Sequence, residues 1–261
     1  MEIRKIERNH QFTWIQKEWY KTLTRPEDGM WHSFRELAQP WGIWEEDLLI
    51  GYGIVNSEFC LIQFFMLSDY LMEKGLFLKK LIEEAHVSSI LVGTNNPVFL
   101  SAAAPLLKHS KIHTYLFDEY KIVTPFERPG TFKKAKPVDL ERLIKFCQES
   151  TGGPESWLRT YLEGLIQREE IYFLELEGKI VGTSEVRKNP SSPDFADLGM
   201  IVHPDFRKKG YGTDLLLRGK IIANEKGMEA ICSCEASNDA SFKTISNCGF
   251  VSFHSLLFSE I

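Results

Sequence analysis

The sequence predicts an α/β (α+β) protein built from two similar halves, and three observations lead to that prediction. Apolar runs with strand character alternate with amphipathic helical segments along most of the 261 residues. The order of these segments in the middle of the chain resembles their order at its end. The stretch from Leu198 to Thr213 has the pattern of a strand, a glycine-rich turn and the start of a helix.

Composition and charge exclude several function classes. The formal net charge is −5 and the pI is about 5.9, so no broad positive field attracts nucleic acid or an anionic membrane. No apolar run approaches the roughly 20 residues that a membrane span needs. The first residues, MEIRKIERNHQF, lack the apolar core of a secretory signal. We therefore expect a cytoplasmic protein, a monomer or homodimer, with neither nucleic acid nor membrane as a partner.

The five cysteines are odd in number and scattered, which argues against a disulfide framework. Cys232 and Cys234 lie on one predicted strand, and no second Cys/His pair follows at zinc spacing. We interpret both as small core residues and expect no metal site.

The first half of the chain begins with an aromatic-rich stretch that runs to about residue 45. It contains a helical pattern over 11–23 and a turn at 25–29. The aromatic side chains either line a substrate pocket or pack in a core between the halves. Further along, the patterns predict strands at 48–55, 59–65, 89–92 and 112–117, and helices at 70–84 and 97–108.

A linker is predicted over 121–136, where Pro125, Pro129 and Gly130 interrupt any regular pattern. We therefore predict domains at 1–125 and 131–261. In the second, the patterns give helices beginning near 139 and 157, and a hairpin at 171–185. The patterns then predict a strand at 198–202, a helix at 213–226, a strand at 230–234, a helix at 239–247 and a strand at 252–258.

A weak internal repeat relates the two halves. Gly93-Thr94-Asn95-Asn96 aligns with Glu235-Ala236-Ser237-Asn238, and the strand that follows each helix also aligns. In the first half, the counterpart of the glycine-rich turn is 65–70, which has no glycine and contains Asp69. An acidic residue at a helix start repels phosphate. We infer that the first half is a degenerate copy of the same fold whose turn binds no diphosphate.

The turn in the second half has the residues of an anion site. Arg207, Gly210 and Gly212 have the spacing Arg-x-x-Gly-x-Gly directly before a helical pattern. Glycine lets a ligand approach the backbone closely, and the first amides of a helix carry no intrahelical partner. A phosphate or diphosphate suits such a position.

This loop and the segment 238–250, with Asn-x-x-Ser followed by Gly-Phe, resemble the GCN5-related N-acetyltransferase (GNAT) family. The resemblance covers 131–261. It implies the acyl-CoA N-acyltransferase fold, a mixed and mostly antiparallel sheet flanked by helices, here in tandem with the degenerate half. It also implies acetyl-CoA as co-substrate. The residues that would bind it are Ile201, Val202, Arg207, Lys208, Lys209, Gly210, Tyr211, Gly212, Thr213 and Asn238.

Within this resemblance, Ile201 and Val202 would pair with the pantetheine arm, and the amides of 208–212 would hold the diphosphate. Lys208 and Lys209 are either phosphate contacts or a solvated surface pair. Asn238 either contacts the pantetheine arm or caps the following helix, and both roles are compatible.

The catalytic groups are less well defined. The usual family position for a general base is occupied by Ala196, so Asp197 and, second, Glu185 are the candidates. The position of the family's tyrosine acid is Ile245, which leaves Ser246, Cys248 or water as substitutes.

The leading hypothesis is acetyl transfer from acetyl-CoA to a primary amine of a small molecule or peptide. The alternatives are a non-catalytic acyl-CoA-binding or regulatory protein, and an acyltransferase that uses another acyl-CoA or a hydroxyl acceptor. We expect the acceptor pocket between the helices of 139–167, the turn at 186–195 and the aromatic first half.

Overall fold

The computed structural model describes residues 2–261, and these fall into two compact units. The first unit contains the residues through Leu116 together with Ser233–Ser237 and Ser252–Ile261. The second unit contains Phe117–Cys232 and Asn238–Val251. These units differ from the predicted contiguous domains, 1–125 and 131–261, because two short C-terminal segments pack with the first unit.

The first unit contains six strands and four α-helices in the described residues, and two short 3-10 helices, Ser68–Glu73 and Ala104–Leu106, adjoin α3 and α4. Its elements are β1 (Glu2–Lys5), α1 (His10–Tyr20), α2 (Gly29–Leu37), β2 (Gln39–Glu45), β3 (Leu48–Val55), β4 (Cys60–Met66), α3 (Lys74–Glu84), β5 (Ser89–Gly93), α4 (Pro97–Ala103) and β6 (Lys111–Glu119), whose last residues belong to the second unit.

The sheet of the first unit has the order β1-β2-β3-β4-β5. Its neighbours are antiparallel except β4 and β5, which are parallel. Leu256–Glu260, from the end of the chain, pairs antiparallel with β5. Apolar side chains cover both faces of this sheet, since one buried cluster includes α3 and α4 and another includes α1. Burial on both faces explains why β3 and β4 have nearly continuous apolar sequences.

The second unit contains the remaining elements. They are β7 (Thr131–Lys134), α5 (Leu140–Thr151), α6 (Glu155–Gln167), β8 (Ile171–Leu176), β9 (Lys179–Lys188), β10 (Phe195–Val202), α7 (Tyr211–Glu225), β11 (Glu229–Glu235), α8 (Asp239–Asn247) and β12 (Phe250–Glu260). The last residues of β11 and most of β12 belong to the first unit.

The sheet of the second unit has the order β7-β8-β9-β10-β11. It is antiparallel except for β10 and β11, which run parallel. Helices α5 and α6 pack on one face through a cluster around Leu143, Leu162 and Phe173. Helix α7 covers the other face through Leu215, which contacts Val181 and Leu174. The sheet is thus mixed, mostly antiparallel and flanked by helices, as predicted.

The predicted linker contains a strand that the sequence pattern did not indicate. Residues 131–134 form β7, which pairs antiparallel with β8 from Thr131↔Glu175 to Lys134↔Tyr172. The TFKK sequence is short and has only one apolar residue, as an edge strand allows, and its pairing comes from β8. Residues 121–130 contain no helix or strand.

No helix in the described chain combines the length and the apolar character that a bilayer crossing requires.

Candidate functional site

The candidate site begins where β10 separates from β11. The parallel pairing covers only Phe195–Asp197, although β10 continues to Val202. On its other side, β10 stays paired with β9 through Val202↔Gly182. The edge of β10 that faces β11 therefore has unpaired backbone groups over 198–202, which an extended ligand can use as a strand partner.

The direction of each backbone amide follows from the hydrogen bonds at the two ends of β10. The His203 N–H donates to the Val181 carbonyl at 2.9 Å, and the Glu229 N–H donates to the Asp194 carbonyl at 2.9 Å. Because amides alternate along a strand, odd residues face β9 and even residues face the open edge.

This alternation changes one predicted contact. Ile201 stands opposite Thr183 on β9, so its amide is directed into the sheet. The backbone of Ile201 therefore does not face the open edge, contrary to its predicted role, whereas the backbone groups of Met200 and Val202 do.

The turn after β10 leads directly into α7. A 3-10 turn, Pro204–Phe206, is followed by Lys208 in the left-handed region at φ 60°. Gly210, at φ 85°, is the N-cap residue of α7, which begins at Tyr211. The first-turn amides of Tyr211, Gly212 and Thr213 therefore form the positive end of the helix.

Gly212 lies where three elements meet. A Cβ atom added to Gly212 would lie 3.4 Å from Thr244 Cγ2 on α8 and 3.6 Å from Val202 Cγ2 on β10. The absence of a side chain keeps the start of α7 close to the end of β10. The strand edge and the helix N-terminus consequently form one continuous surface.

Two of the three basic side chains in the turn donate to backbone carbonyls. Arg207 donates to the Val202 carbonyl at 3.2 Å and to the Ser150 carbonyl at 2.8 Å. Lys209 donates to the Asp205 carbonyl at 2.8 Å. Lys208 is exposed. Arg207 thus fastens the end of β10 to the end of α5, and its predicted role as a phosphate ligand stays a prediction.

Asn238 is the N-cap of α8, and its Oδ1 accepts a hydrogen bond of 3.0 Å from the Ser241 N–H. This supports the capping role that the sequence allows. Its predicted contact with a pantetheine arm stays a prediction.

Glu185 lies on β9 beside the point where β10 and β11 separate. It pairs in register with Gly199, and a Cβ atom on Gly199 would lie 3.2 Å from Glu185 Oε2. The missing side chain of Gly199 leaves room for this carboxylate, which is only 7% exposed. The Tyr161 hydroxyl on α6 donates to Glu185 Oε2 at 2.6 Å, and Arg187 Nε lies 3.5 Å from the same oxygen.

Tyr161 connects this buried carboxylate to solvent. Its ring stacks on Trp157 at 4.9 Å, and Trp157 is half exposed. Burial, followed by the Glu185 charge, raises the pKa of Tyr161, so the phenol stays protonated at neutral pH. Tyr161 was not predicted as a site residue. Its helical spacing with Leu158, Leu162 and Leu165 indicates a core residue, and only the fold places its hydroxyl beside Glu185.

Asp197 has a different environment. It is 1% exposed and accepts two hydrogen bonds from Asn189 Nδ2, at 3.0 and 3.2 Å. Asn189 in turn accepts bonds from Ser191 and Ser192. Asp197 therefore stabilises the turn that precedes β10, within the paired part of the strand. Glu185 thus lies beside the open edge of β10, whereas Asp197 lies in its paired part, and the role of either as a proton acceptor stays a prediction.

The substitutes for a tyrosine acid are not equivalent. Ile245 is buried, and the Cys248 thiol is buried and lies 3.6 Å from the Thr213 carbonyl. Burial raises the pKa of Cys248 to about 12, so the thiol is neutral and inaccessible. Ser246 is exposed on α8. Of the two side chains predicted to substitute for the tyrosine acid, Ser246 is therefore accessible to solvent and Cys248 is not.

Cys232 and Cys234 are buried free thiols on β11, as expected for core residues. Within residues 2–261, no group of three His, Cys, Asp or Glu side chains is placed to hold a metal ion.

Comparisons with protein families match both halves of the chain. Residues 8–120 match the model described as "Acetyltransferase (GNAT) domain", and residues 138–250 match "Acetyltransferase (GNAT) family". The chain belongs to the GNAT acetyltransferase family. The prediction of two GNAT halves in tandem is therefore confirmed.

Solved GNAT structures share this architecture. A GNAT acetyltransferase from Colwellia psychrerythraea is 26% identical with a TM-score of 0.92, and the match covers 100% of both chains. A tandem GNAT protein from the clavulanic acid biosynthesis pathway is 12% identical with a TM-score of 0.63, covering 98% of this chain and 97% of that one. A GCN5-related N-acetyltransferase from Sphaerobacter thermophilus is 14% identical with a TM-score of 0.61, covering 85% and 80%. No curated protein sequence matches the chain significantly.

GNAT membership establishes acyl transfer from an acyl-CoA as the general chemistry. The second unit fits such a molecule on two observations. The open edge of β10 suits an extended amide-containing arm, and the first-turn amides of α7 suit an anionic diphosphate.

The first GNAT unit has a similar parallel pair but a different turn. β4 pairs with β5 only at Cys60 and Leu61, and the 3-10 helix Ser68–Glu73 follows β4. The turn contains Asp69, and its Tyr70 hydroxyl donates to Glu45 Oε2 at 2.6 Å. The acidic groups near this helix start oppose an anionic ligand. That the first unit binds no CoA stays a prediction.

The aromatic residues of the first unit divide between core and surface. Phe12, Trp19 and Trp44 are buried in its core. Trp31 and Phe34, on α2, line an open cavity of about 640 Å³ with an apolar floor. Phe12, Trp19 and Trp44 therefore pack in the first unit's own core, and a role of the aromatic stretch in lining a substrate pocket stays a prediction.

Proposed function

We propose that the second unit is an acetyl-CoA-dependent N-acetyltransferase that acts on a primary amine of a small molecule or peptide. The observation that carries this proposal is the early separation of β10 from β11, which leaves an open strand edge leading into the N-terminus of α7. The five cysteines are free and buried, which suits a reducing compartment, and we propose the cytoplasm.

In this proposal, bound acetyl-CoA supplies the acetyl group as a thioester. The amides of Met200 and Val202 hold the pantetheine arm along the strand edge. The first-turn amides of α7, from Tyr211 to Thr213, hold the diphosphate, because helix amides and the helix dipole both favour an anion there. Lys208 contributes positive charge from the surface, while Arg207 and Lys209 fix the shape of the turn.

Glu185 accepts the proton that the acceptor ammonium must lose before it can react. Its position beside the point of strand separation, with Gly199 leaving room, puts a carboxylate next to the open edge. Tyr161 orients the carboxylate through its 2.6 Å hydrogen bond. The exposed face of Trp157, stacked on Tyr161, gives the acceptor an aromatic wall on its way to Glu185.

A non-catalytic acyl-CoA-binding protein is the second candidate. The observation that favours it is the buried Ile245 at the position of the family's tyrosine acid, with Cys248 facing α7. Transfer of another acyl group, or transfer to a hydroxyl, remains a third possibility within the same site.

Thermal unfolding with and without acetyl-CoA tests the binding step. A ligand present at a hundred times its dissociation constant stabilises the native state by about 2.7 kcal/mol. We expect the wild type to show this increase and Gly210→Glu to show none, because a carboxylate would then lie at the helix start.

Gly227→Glu is the matched control. Gly227 follows α7 at φ 72°, close to the 85° of Gly210, and a Cβ atom there meets nothing within 4 Å. The control therefore carries the same charge and similar backbone strain without touching the turn. A wild type that acetyl-CoA does not stabilise would overturn the proposal.

Thiol release with a panel of amines tests the transfer step. Amine-dependent release of CoA supports the N-acetyltransferase. Stabilisation by acetyl-CoA without acceptor-dependent release favours the acyl-CoA-binding protein. Release that depends on alcohols or on a longer acyl-CoA favours the third candidate.

A further inference from the structure

A side chain from outside the glycine-rich turn lies directly on it. Arg128 belongs to the irregular segment that precedes β7, within the second unit. Its backbone N–H donates to Asp214 Oδ2 at 3.0 Å. Asp214 is in the first turn of α7 and is 1% exposed. The segment around Arg128 is therefore attached to the start of α7 through a buried carboxylate.

The Arg128 guanidinium occupies the space beside Gly210. A Cβ atom added to Gly210 would lie 2.6 Å from Arg128 Nη2, 2.8 Å from Nε and 3.1 Å from Cζ. The ring of Phe126 lies 5.3 Å from the same guanidinium and supports its orientation. Glycine at 210 thus leaves room for the arginine as well as allowing the left-handed backbone.

The charges at this position are unbalanced. A guanidinium beside a helix N-terminus is next to the positive end of the helix dipole, where a cation is unfavourable. Within the described chain, no carboxylate lies within ion-pair distance of this guanidinium. Asp214 bonds instead to the Arg128 backbone and to Arg218 Nε, the latter at 2.8 Å. An anion bound at Gly210 would relieve this repulsion and pair with the guanidinium.

The basic residues of the turn are less suited than Arg128 to pair with this anion. Arg207 and Lys209 donate to backbone carbonyls, as described above, and Lys208 is a flexible surface lysine. A planar guanidinium is better suited than an ammonium to bidentate contact with phosphate oxygens.

We propose that Arg128 is a further ligand of the diphosphate of acyl-CoA, acting together with the first amides of α7. This inference rests on the proposed acyl-CoA site and adds to it a residue from the segment before β7. The chemical group recognised is a diphosphate ester, and the arginine contributes affinity rather than chemistry.

Calorimetric titration of CoA into the wild type, Arg128→Ala, Arg128→Lys and Arg159→Ala tests the proposal. Arg159→Ala is the matched control, because it removes an arginine whose ion pairs with Glu141 and Glu155 lie on the surface of α5 and α6. We expect Arg128→Ala to weaken CoA binding by about tenfold or more, as loss of a charge-assisted contact implies. The CoA affinity of Arg128→Lys should lie between those of Arg128→Ala and the wild type. Arg159→Ala should bind CoA as tightly as the wild type.

The same titrations with dephospho-CoA, which lacks the 3′-phosphate, identify the group that Arg128 binds. An equal loss of affinity for both ligands supports contact with the diphosphate. A loss for CoA alone would assign the arginine to the 3′-phosphate and overturn the proposal as stated.

The result also separates this inference from the proposed function. If the wild type binds CoA and Arg128→Ala binds equally well, Arg128 is not a ligand and the acyl-CoA site stands. If the wild type binds neither CoA nor dephospho-CoA, the acyl-CoA site itself is overturned. Unchanged unfolding temperatures for the exposed Arg128 variants would show that altered binding does not come from misfolding.

Discussion

The Tyr161 hydroxyl donates a 2.6 Å hydrogen bond to Glu185, and this contact connects α6 to the strand beside the open edge of β10. The carboxylate is buried, yet its partner stacks on a half-exposed tryptophan. In our proposal, this carboxylate exchanges protons with an acceptor that enters along the aromatic wall. Asp197 lies instead within the paired part of β10, where it accepts a hydrogen bond from Asn189.

Glu185→Gln and Asp197→Asn therefore have different expected effects. Loss of a general base lowers kcat by about 10² to 10⁴-fold, so Glu185→Gln should lose most of its acceptor-dependent thiol release. Asp197→Asn should lower the unfolding temperature and change kcat by less than about tenfold. Tyr161→Phe should lose less activity than Glu185→Gln, because it removes only the hydroxyl that orients the carboxylate. Full activity in Glu185→Gln would exclude it as the base.

Arg207→Ala should destabilise the protein and also weaken CoA binding. The arginine bridges the Val202 and Ser150 carbonyls, and loss of such exposed hydrogen bonds costs about 0.5–1.5 kcal/mol. Differential scanning calorimetry should show a lower unfolding temperature without ligand. Lys208→Ala, at an exposed neighbour, serves as the control and should leave that temperature nearly unchanged. Equal stability of Arg207→Ala and wild type would mean that the bridge contributes nothing measurable.

The two capping asparagines of the internal repeat offer a comparison between equivalent positions. Asn96 caps α4 by accepting from the Phe99 N–H at 3.1 Å, as Asn238 caps α8. Replacement of either by alanine should cost about 1 kcal/mol of stability. Only Asn238→Ala should also lower the affinity for acetyl-CoA.

Asn238→Asp separates the two roles of this residue, because aspartate keeps the cap and removes the amide donor. Normal stability with weaker acetyl-CoA binding would support a ligand contact. Unchanged acetyl-CoA affinity in both Asn238 variants would leave capping as its only role.

Buried thiols make the protein sensitive to alkaline pH. Burial raises the pKa of Cys248 from 9.0 to about 12. Above about pH 9 the unfolded chain loses this proton while the folded chain keeps it, so the free energy of unfolding falls as pH rises towards 12. Urea unfolding at pH 7.5 and pH 10.5 should therefore show a smaller decrease for Cys248→Ala than for the wild type. Parallel decreases in the two proteins would contradict this assignment.

Local sequence patterns predicted most elements of the fold. The strand at 48–55 and the helix at 239–247 have the predicted bounds, because apolar runs and the Asn238 cap define them locally. The short edge strands β1 and β7 were missed, since each has only one apolar residue and depends on pairing with a neighbour.

The site was only partly predictable for the same reason. The turn at 207–213 is continuous in sequence, so its glycines identify the helix start. Tyr161 and Arg128 reach the site through tertiary packing, and neither carries a local signal of function. The register of β10 against β9 decides that the Met200 amide, and not the Ile201 amide, faces the open edge. The sequence of a single strand does not reveal that register.

The pairing of Leu256–Glu260 with β5 has a consequence for how the protein is made. During synthesis, most of the first unit leaves the ribosome long before the residues that complete its sheet. The free edge of β5 must wait for residues 256–260, which gives this unit contacts of very high sequence separation and predicts slow, late consolidation. The amino-terminal unit is thus the last to be finished, and a chain that ends prematurely near Val251 leaves it with an exposed strand edge prone to aggregation.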